Sequence, residues 1–160
     1  MEKVVKFEHV VIVNEPDNPL LEDISREELW FGLLCRVENP APFLPGLEGC
    51  SVLDRRGDEL LRELDFGELK IRDRVTMVPM ESVTFEAERT AEHAGGTLTI
   101  RIEEPVPEQL VLRFMYATTL QEENDDGPDM IAQFVRSAYH ESDIDTVRVI
   151  RAIVSSGRMQ

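Results

Sequence analysis

The chain has 160 residues, 42% hydrophobic and 31% charged, which is enough to bury the core of one domain without a metal or disulfide staple. Its 32 Asp and Glu outnumber 17 Lys and Arg, giving a formal net charge of -15 that is read as a solubility feature and argues against nucleic acid and anionic membranes as partners. Cys35 and Cys50 lie outside any C-x-x-C pair, no apolar run approaches the ~18 residues that cross a bilayer, and Met1 to Lys6 lacks a signal peptide's apolar core. These features predict a cytoplasmic protein with reduced thiols, no metal, no cofactor and no membrane insertion.

Val4 to Asn14 alternates, with Val5, Phe7, His9, Val11 and Val13 on one face and Lys6, Glu8, Val10, Ile12 and Asn14 on the other. Period 2 with β-branched residues predicts a strand. Pro16 and Pro19 then forbid regular structure. Ser25 to Val37 carries the best local signal. Ser25 and Glu28 form a capping box, Ile24 and Leu29 a hydrophobic staple, and Leu29, Trp30, Leu33, Leu34 and Val37 an apolar stripe. Trp30 is expected to pack this helix on the sheet. Asn39-Pro40 ends it, and Ala41 to Leu47 leaves room for one short turn.

Strand signals follow at Cys50–Arg55, Glu59–Phe66, Leu69–Val78, Ser82–Glu88, Thr97–Glu103 and Leu110–Thr119, separated by turns at Gly57, Gly67, Pro79 and Gly95-Gly96. Short, evenly spaced strands with tight turns predict an antiparallel meander with one buried face. After an acidic loop, Pro128 opens a helix to about Ser155. Ile131, Phe134, Val135, Ala138, Val149, Ala152 and Ile153 share a face. Ser142 and Asp145 interrupt it, so either that face meets something polar or the helix breaks near Glu141-Ser142. No repeat or linker divides the chain, so one domain over 1–160 is expected. The fold class is α+β: a curved antiparallel sheet wrapped around a long C-terminal helix, with a ligand cavity where the two layers cannot close.

Three polar residues fall on faces that otherwise read as interior. His9 could serve as acid, base or ligand anchor, or be a core histidine satisfied by a neighbour. Asp73 lies opposite the row Lys70, Arg72 and Arg74, which places it inward unless a bulge returns it to the surface. There it would need a partner or a proton. Tyr116 shares a face with Leu110, Leu112 and Phe114, as a cavity hydroxyl or a wall residue. Arg113 has the opposite parity and faces out. The cavity wall is expected from Phe7, Val11, Val83, Phe85, Leu98, Ile100, Leu112 and Phe114 of the sheet and Ile131 and Phe134 of the helix. Glu122, Asn124 and Asp126 have calcium-loop spacing, but Gln133 stands where a bidentate Glu belongs. His140-Glu141 starts like H-E-x-x-H but lacks the second His. No phosphate loop, dinucleotide fingerprint or G-x-S-x-G occurs.

Phe7-Glu8-His9, Asn18-Pro19-Leu20, Leu29-Trp30-Phe31-Gly32-Leu33, Glu38-Asn39-Pro40 and Phe43-Leu44-Pro45-Gly46-Leu47, with the order of elements, resemble the AtaL-like family of the START-like (SRPBCC, helix-grip) superfamily. The resemblance implies a helix-grip fold with a hydrophobic cavity and supplies no catalytic residues. The superfamily includes cyclases, aromatases, binding proteins and regulators, so fold alone does not decide activity. The expected function is binding of a small hydrophobic organic molecule. The rivals are a cyclase or dehydratase using His9, Asp73 or Tyr116 on a polyketide-like substrate, and a regulatory protein whose acidic loop Glu122 to Asp129 meets a basic partner. Nothing in the chain specifies an oligomeric state.

Overall fold

The computed structural model describes residues 2–90, 95–121 and 128–158, and the side chains of residues 6–90, 95–118 and 139–158. In chain order the elements are β1 (Glu2–Ile12), α1 (Arg26–Glu38), a 3-10 turn (Ala41–Phe43), β2 (Gly49–Arg56), β3 (Glu59–Asp65), β4 (Lys70–Val78), β5 (Ser82–Ala87), β6 (Gly96–Val106), β7 (Gln109–Gln121) and α2 (Pro128–Arg158). The strands form one sheet in the order β1-β7-β6-β5-β4-β3-β2, each pair antiparallel. From β2 to β7 every strand pairs with the next, and the first strand returns to pair with the last. The expected strands and both helices are all present, with ends shifted by a few residues.

Register explains which side chains meet. One row across the sheet runs Phe7, Tyr116, Leu98, Phe85, Val75, Leu60. The next runs His9, Phe114, Ile100, Val83, Met77. Both rows face α1 and α2, because period 2 sends the alternate residues to the other side. That outer side carries cross-strand ion pairs such as Arg72–Glu63, Arg74–Glu59 and Arg113–Glu8. Arg113 therefore faces out, as its parity predicts.

The capping box of α1 forms as expected: the Glu28 N–H donates to Ser25 Oγ at 3.0 Å and the Ser25 N–H to Glu28 Oε1 at 2.9 Å. Buried Asn14 anchors the preceding loop, its side chain exchanging two hydrogen bonds with the Ile24 backbone. Trp30 is partly buried and packs against the core.

The helix α2 is continuous through Glu141-Ser142 over its 31 residues. Its buried face comprises Asp143, Thr146, Val147, Ile150 and Val154. This face is rotated from the expected one: Ala152 is exposed, Val149 and Ile153 are half-buried, and exposed Asp145 pairs with Arg148 at 2.6 Å. The rotation has a steric reason. Ile150 fills a notch left by Gly32 of α1, where an added Cβ would clash with Ile150 Cγ2 and lie 2.9 Å from Cγ1. The end of α2 is tied back by Arg158, which donates to the Glu28 and Glu22 carboxylates and to the Asp23 carbonyl. The Arg158 guanidinium and the Ser25 amide draw the Glu28 carboxyl down to about 2.

Candidate functional site

Tyr116 of β7 sits between Phe7 and Leu98 on the inner sheet face. Its ring stacks on Phe7 at 5.0 Å between centroids and on Tyr139 of α2 at 4.6 Å. Its hydroxyl donates to Asp143 Oδ1, one helical turn beyond Tyr139. His9, two residues along β1 from Phe7, stacks on His140 at 4.7 Å and lies 6.2 Å from the Tyr116 ring. Residues 139, 140 and 143 thus meet the β1–β7 edge from one side of α2.

Burial pushes the Asp143 carboxyl up to about 7, although the Tyr116 hydrogen bond and the Arg36 charge act to lower it. Burial and the nearby Asp143 also raise the Tyr116 hydroxyl, which therefore keeps its proton. Burial raises Tyr139 as well. A carboxyl that titrates near neutral pH, bonded to a phenol, can accept or release a proton under physiological conditions.

A second polar pair lies further along the inner face. Arg62 and Asp73 stand opposite each other on β3 and β4. The guanidinium grips the carboxylate with two bonds, Nε to Oδ1 at 2.8 Å and Nη2 to Oδ2 at 2.5 Å. Its Nη1 donates to the carbonyls of Val37 and Arg36, at 3.0 and 3.3 Å, closing the C-terminal end of α1. The Arg36 guanidinium lies 5.0 Å above the Phe85 ring and the Arg62 guanidinium 5.2 Å from it. Arg36 is buried, which lowers its pKa, and it senses the charges of Arg62, Asp143 and Asp73. The inner face thus carries a polar band: Asp73–Arg62, then Arg36, then Asp143–Tyr116.

Of the sequence-predicted polar residues, His9 and Tyr116 come together. Asp73 points inward, with each of its oxygens accepting from Arg62. Among the expected wall residues, Val83, Ile100, Leu112 and Phe114 have no accessible surface. A side chain with none borders no space that admits water, so these four are packed core. Phe85 is nearly buried, while Phe7, Val11 and Leu98 keep partial exposure. The side chains of Ile131 and Phe134 and the acidic loop 122–127 lie outside the described residues, as do Glu122, Asn124, Asp126 and the Gln133 side chain.

Asp143, Arg36, Arg62, Tyr139 and His140 were not anticipated as site residues. Arg36 lies seven residues beyond Leu29 on the apolar stripe, and Arg62 stands between Leu60 and Leu64 with inward parity. Both positions carried a readable signal. Burial raises the thiols of Cys35 and Cys50, so neither is an activated nucleophile. Among the described residues, no three His, Cys, Asp or Glu side chains gather to hold a metal, and no helix is long and apolar enough to cross a membrane.

No curated protein matches the chain. Similar folds occur in the Zhui aromatase/cyclase from Streptomyces sp. R1128, with 15% identity and a TM-score of 0.68 over 96% of this chain and 94% of that one. The di-domain aromatase/cyclase StfQ of the steffimycin biosynthetic pathway is 13% identical with a TM-score of 0.72, over 98% of this chain and 52% of StfQ. Ara h 8.0201 is 8% identical with a TM-score of 0.64, over 94% and 99%. These likenesses establish the helix-grip fold. The model of the AtaL family, acetylaranotin biosynthesis cluster protein L, matches residues 11–157, and the chain belongs to that family.

Proposed function

We propose that this chain binds a small hydrophobic organic molecule between the inner sheet face and the N-terminal half of α2. The observation that carries the reading is the stacked aromatic group of half-buried Phe7 and Tyr116 with exposed Tyr139, set directly beside the buried Asp143 carboxyl that accepts from Tyr116. Fixed polar groups among apolar and aromatic walls are what a small-molecule site needs for orientation. Val83, Ile100, Leu112 and Phe114 have no accessible surface, whereas Phe7, Leu98 and Tyr116 keep some, which favours their row as the site. Native mass spectrometry of the purified protein, with a fluorescence titration using N-phenyl-1-naphthylamine, tests this. A co-purifying small molecule, or saturable binding weakened by Tyr116→Ala, supports it; neither ligand nor saturable binding overturns it.

A second reading is favoured by one observation, the carboxyl poised near neutral pH. Here the site is a cyclase or dehydratase acting on a poly-β-carbonyl compound. Ionised Asp143 would take a proton from a carbon flanked by carbonyls, with Tyr116 and His9 holding the oxygens. Asp143→Asn and Tyr116→Phe would then each lower turnover by about 100-fold or more while ligand binding persists. The rate would climb with pH through about 7, as Asp143 loses its proton. Unchanged turnover in both variants rules this reading out.

A further inference from the structure

Two buried polar atoms of the band have no hydrogen-bond partner: Arg36 Nε and Asp143 Oδ2. Their residues are 7% and 1% exposed, and each group feels the other's charge. The contrast with Arg62 is informative. Arg62 spends its guanidinium on Asp73 and on two carbonyls, whereas no carboxylate or carbonyl among the described residues accepts from Arg36. Beneath Arg36 lies the Phe85 ring. A buried guanidinium nitrogen without an acceptor is costly. The position also continues the apolar stripe of α1, where a Met or Leu would pack without that cost.

Charge points the same way. Asp73 neutralises Arg62, so the band's remaining cation is Arg36 and its remaining acid is Asp143, which shares its other oxygen with Tyr116. Whenever Asp143 holds its proton, Arg36 is left as the cation of this band with no carboxylate counter-ion among the described residues. A planar anionic oxygen group matches a guanidinium through two parallel hydrogen bonds. The orphaned Asp143 oxygen, close enough for its charge to act on Arg36, is suited to a hydroxyl.

We propose that the ligand is an organic acid: an apolar, conjugated body whose anionic oxygen group pairs with Arg36 and whose hydroxyl reaches Asp143 Oδ2. This rests on the ligand-site reading above and adds the ligand's charge. It runs against the molecule as a whole, since a net charge of -15 repels anions. An anion preference must therefore come from the site itself.

Two fluorescent probes separate the questions. N-phenyl-1-naphthylamine and 1-anilinonaphthalene-8-sulfonate share a body and differ by one sulfonate, which stands in for the ligand's anionic group. The wild type is expected to bind the sulfonate about tenfold more tightly than the neutral amine, the worth of a charge-assisted hydrogen bond. Arg36→Gln and Arg36→Met are expected to abolish that preference, with their fold checked by circular dichroism. Arg36→Lys should retain part of it. Equal or weaker binding of the sulfonate by the wild type overturns the proposal, as does a preference that survives in both neutral variants. If neither probe binds the wild type, the ligand-site reading itself fails.

Discussion

Asp143 illustrates how one side chain links stability to pH. Its carboxyl is raised from 3.8 to about 7 because burial disfavours the ionised form. The folded state therefore holds the proton more tightly than the unfolded chain does. The associated stability is present in full below about pH 4, declines as pH rises toward 7, and is absent above that. Asp143→Asn keeps an oxygen to accept from Tyr116 but cannot ionise. This variant should be more stable than the wild type at pH 8, by about 2–4 kcal/mol, with the advantage vanishing near pH 4. Urea unfolding at pH 4.5 and pH 8 measures the difference; equal stability at both would show that Asp143 is solvated when charged.

The Arg62–Asp73 pair behaves differently, because both members are buried and paired. Arg62→Met strands the Asp73 carboxylate and the end of α1, and should cost about 3–5 kcal/mol. Replacing both residues, Arg62→Met with Asp73→Leu, should recover most of that loss, since an apolar pair needs no desolvation of charge. If the double variant is as unstable as the single one, the helix-closing bonds to Val37 and Arg36 are the larger contribution. The same denaturation curves distinguish the two.

At the scale of elements, the two helices are held by a fitted contact as well as by apolar area. Ile150 seats in the Gly32 notch, and this contact fixes which face of α2 is buried. Gly32→Ala should destabilise by about 1–3 kcal/mol through overpacking, despite alanine's better helix propensity. Ile150→Ala, which removes the Cγ1 and Cγ2 atoms nearest Gly32, should cost about 2–5 kcal/mol alone. In the double variant the two losses should add to less than their sum, because the smaller side chain makes room for the new methyl. Full additivity in thermal unfolding would mean that the helices shift apart instead.

The notch also explains what could and could not be read in advance. Strands were legible because one face of the sheet is packed, so parity alone places His9, Asp73 and Tyr116 inside. The face of α2 was not, because Val149, Ala152 and Ile153 form a rival stripe and only a contact distant in sequence, Gly32 with Ile150, chooses between them. Asp143 stayed hidden for that reason. Arg36 and Arg62 occupy inward positions in the pattern, but a charged side chain on an apolar stripe ordinarily marks a solvated edge. The site's polar band therefore emerged only when the helices were placed on the sheet.

At the scale of the whole molecule, the excess of carboxylates works against the compact state. The -15 net charge is spread over a small domain, so folding brings like charges together. Exposed pairs such as Arg74–Glu59 and Arg72–Glu63 oppose this, but each contributes only about 0–1 kcal/mol. Salt screens both effects, with a Debye length near ~10 Å at 0.1 M. Long-range repulsion acts among all the excess charges, whereas the pairs are few and local, so repulsion dominates the balance. Raising NaCl from 20 to 500 mM should therefore stabilise the protein by about 1–2 kcal/mol at pH 7.5, raising Tm by roughly 2–8 °C for a domain of this size. KCl should match NaCl, because screening depends on ionic strength; a much larger gain in sulfate than in chloride at equal ionic strength would point to solute exclusion instead. A fall in Tm with chloride would show that the arginine–carboxylate pairs of the outer sheet face hold the fold together more strongly than the excess charge drives it apart.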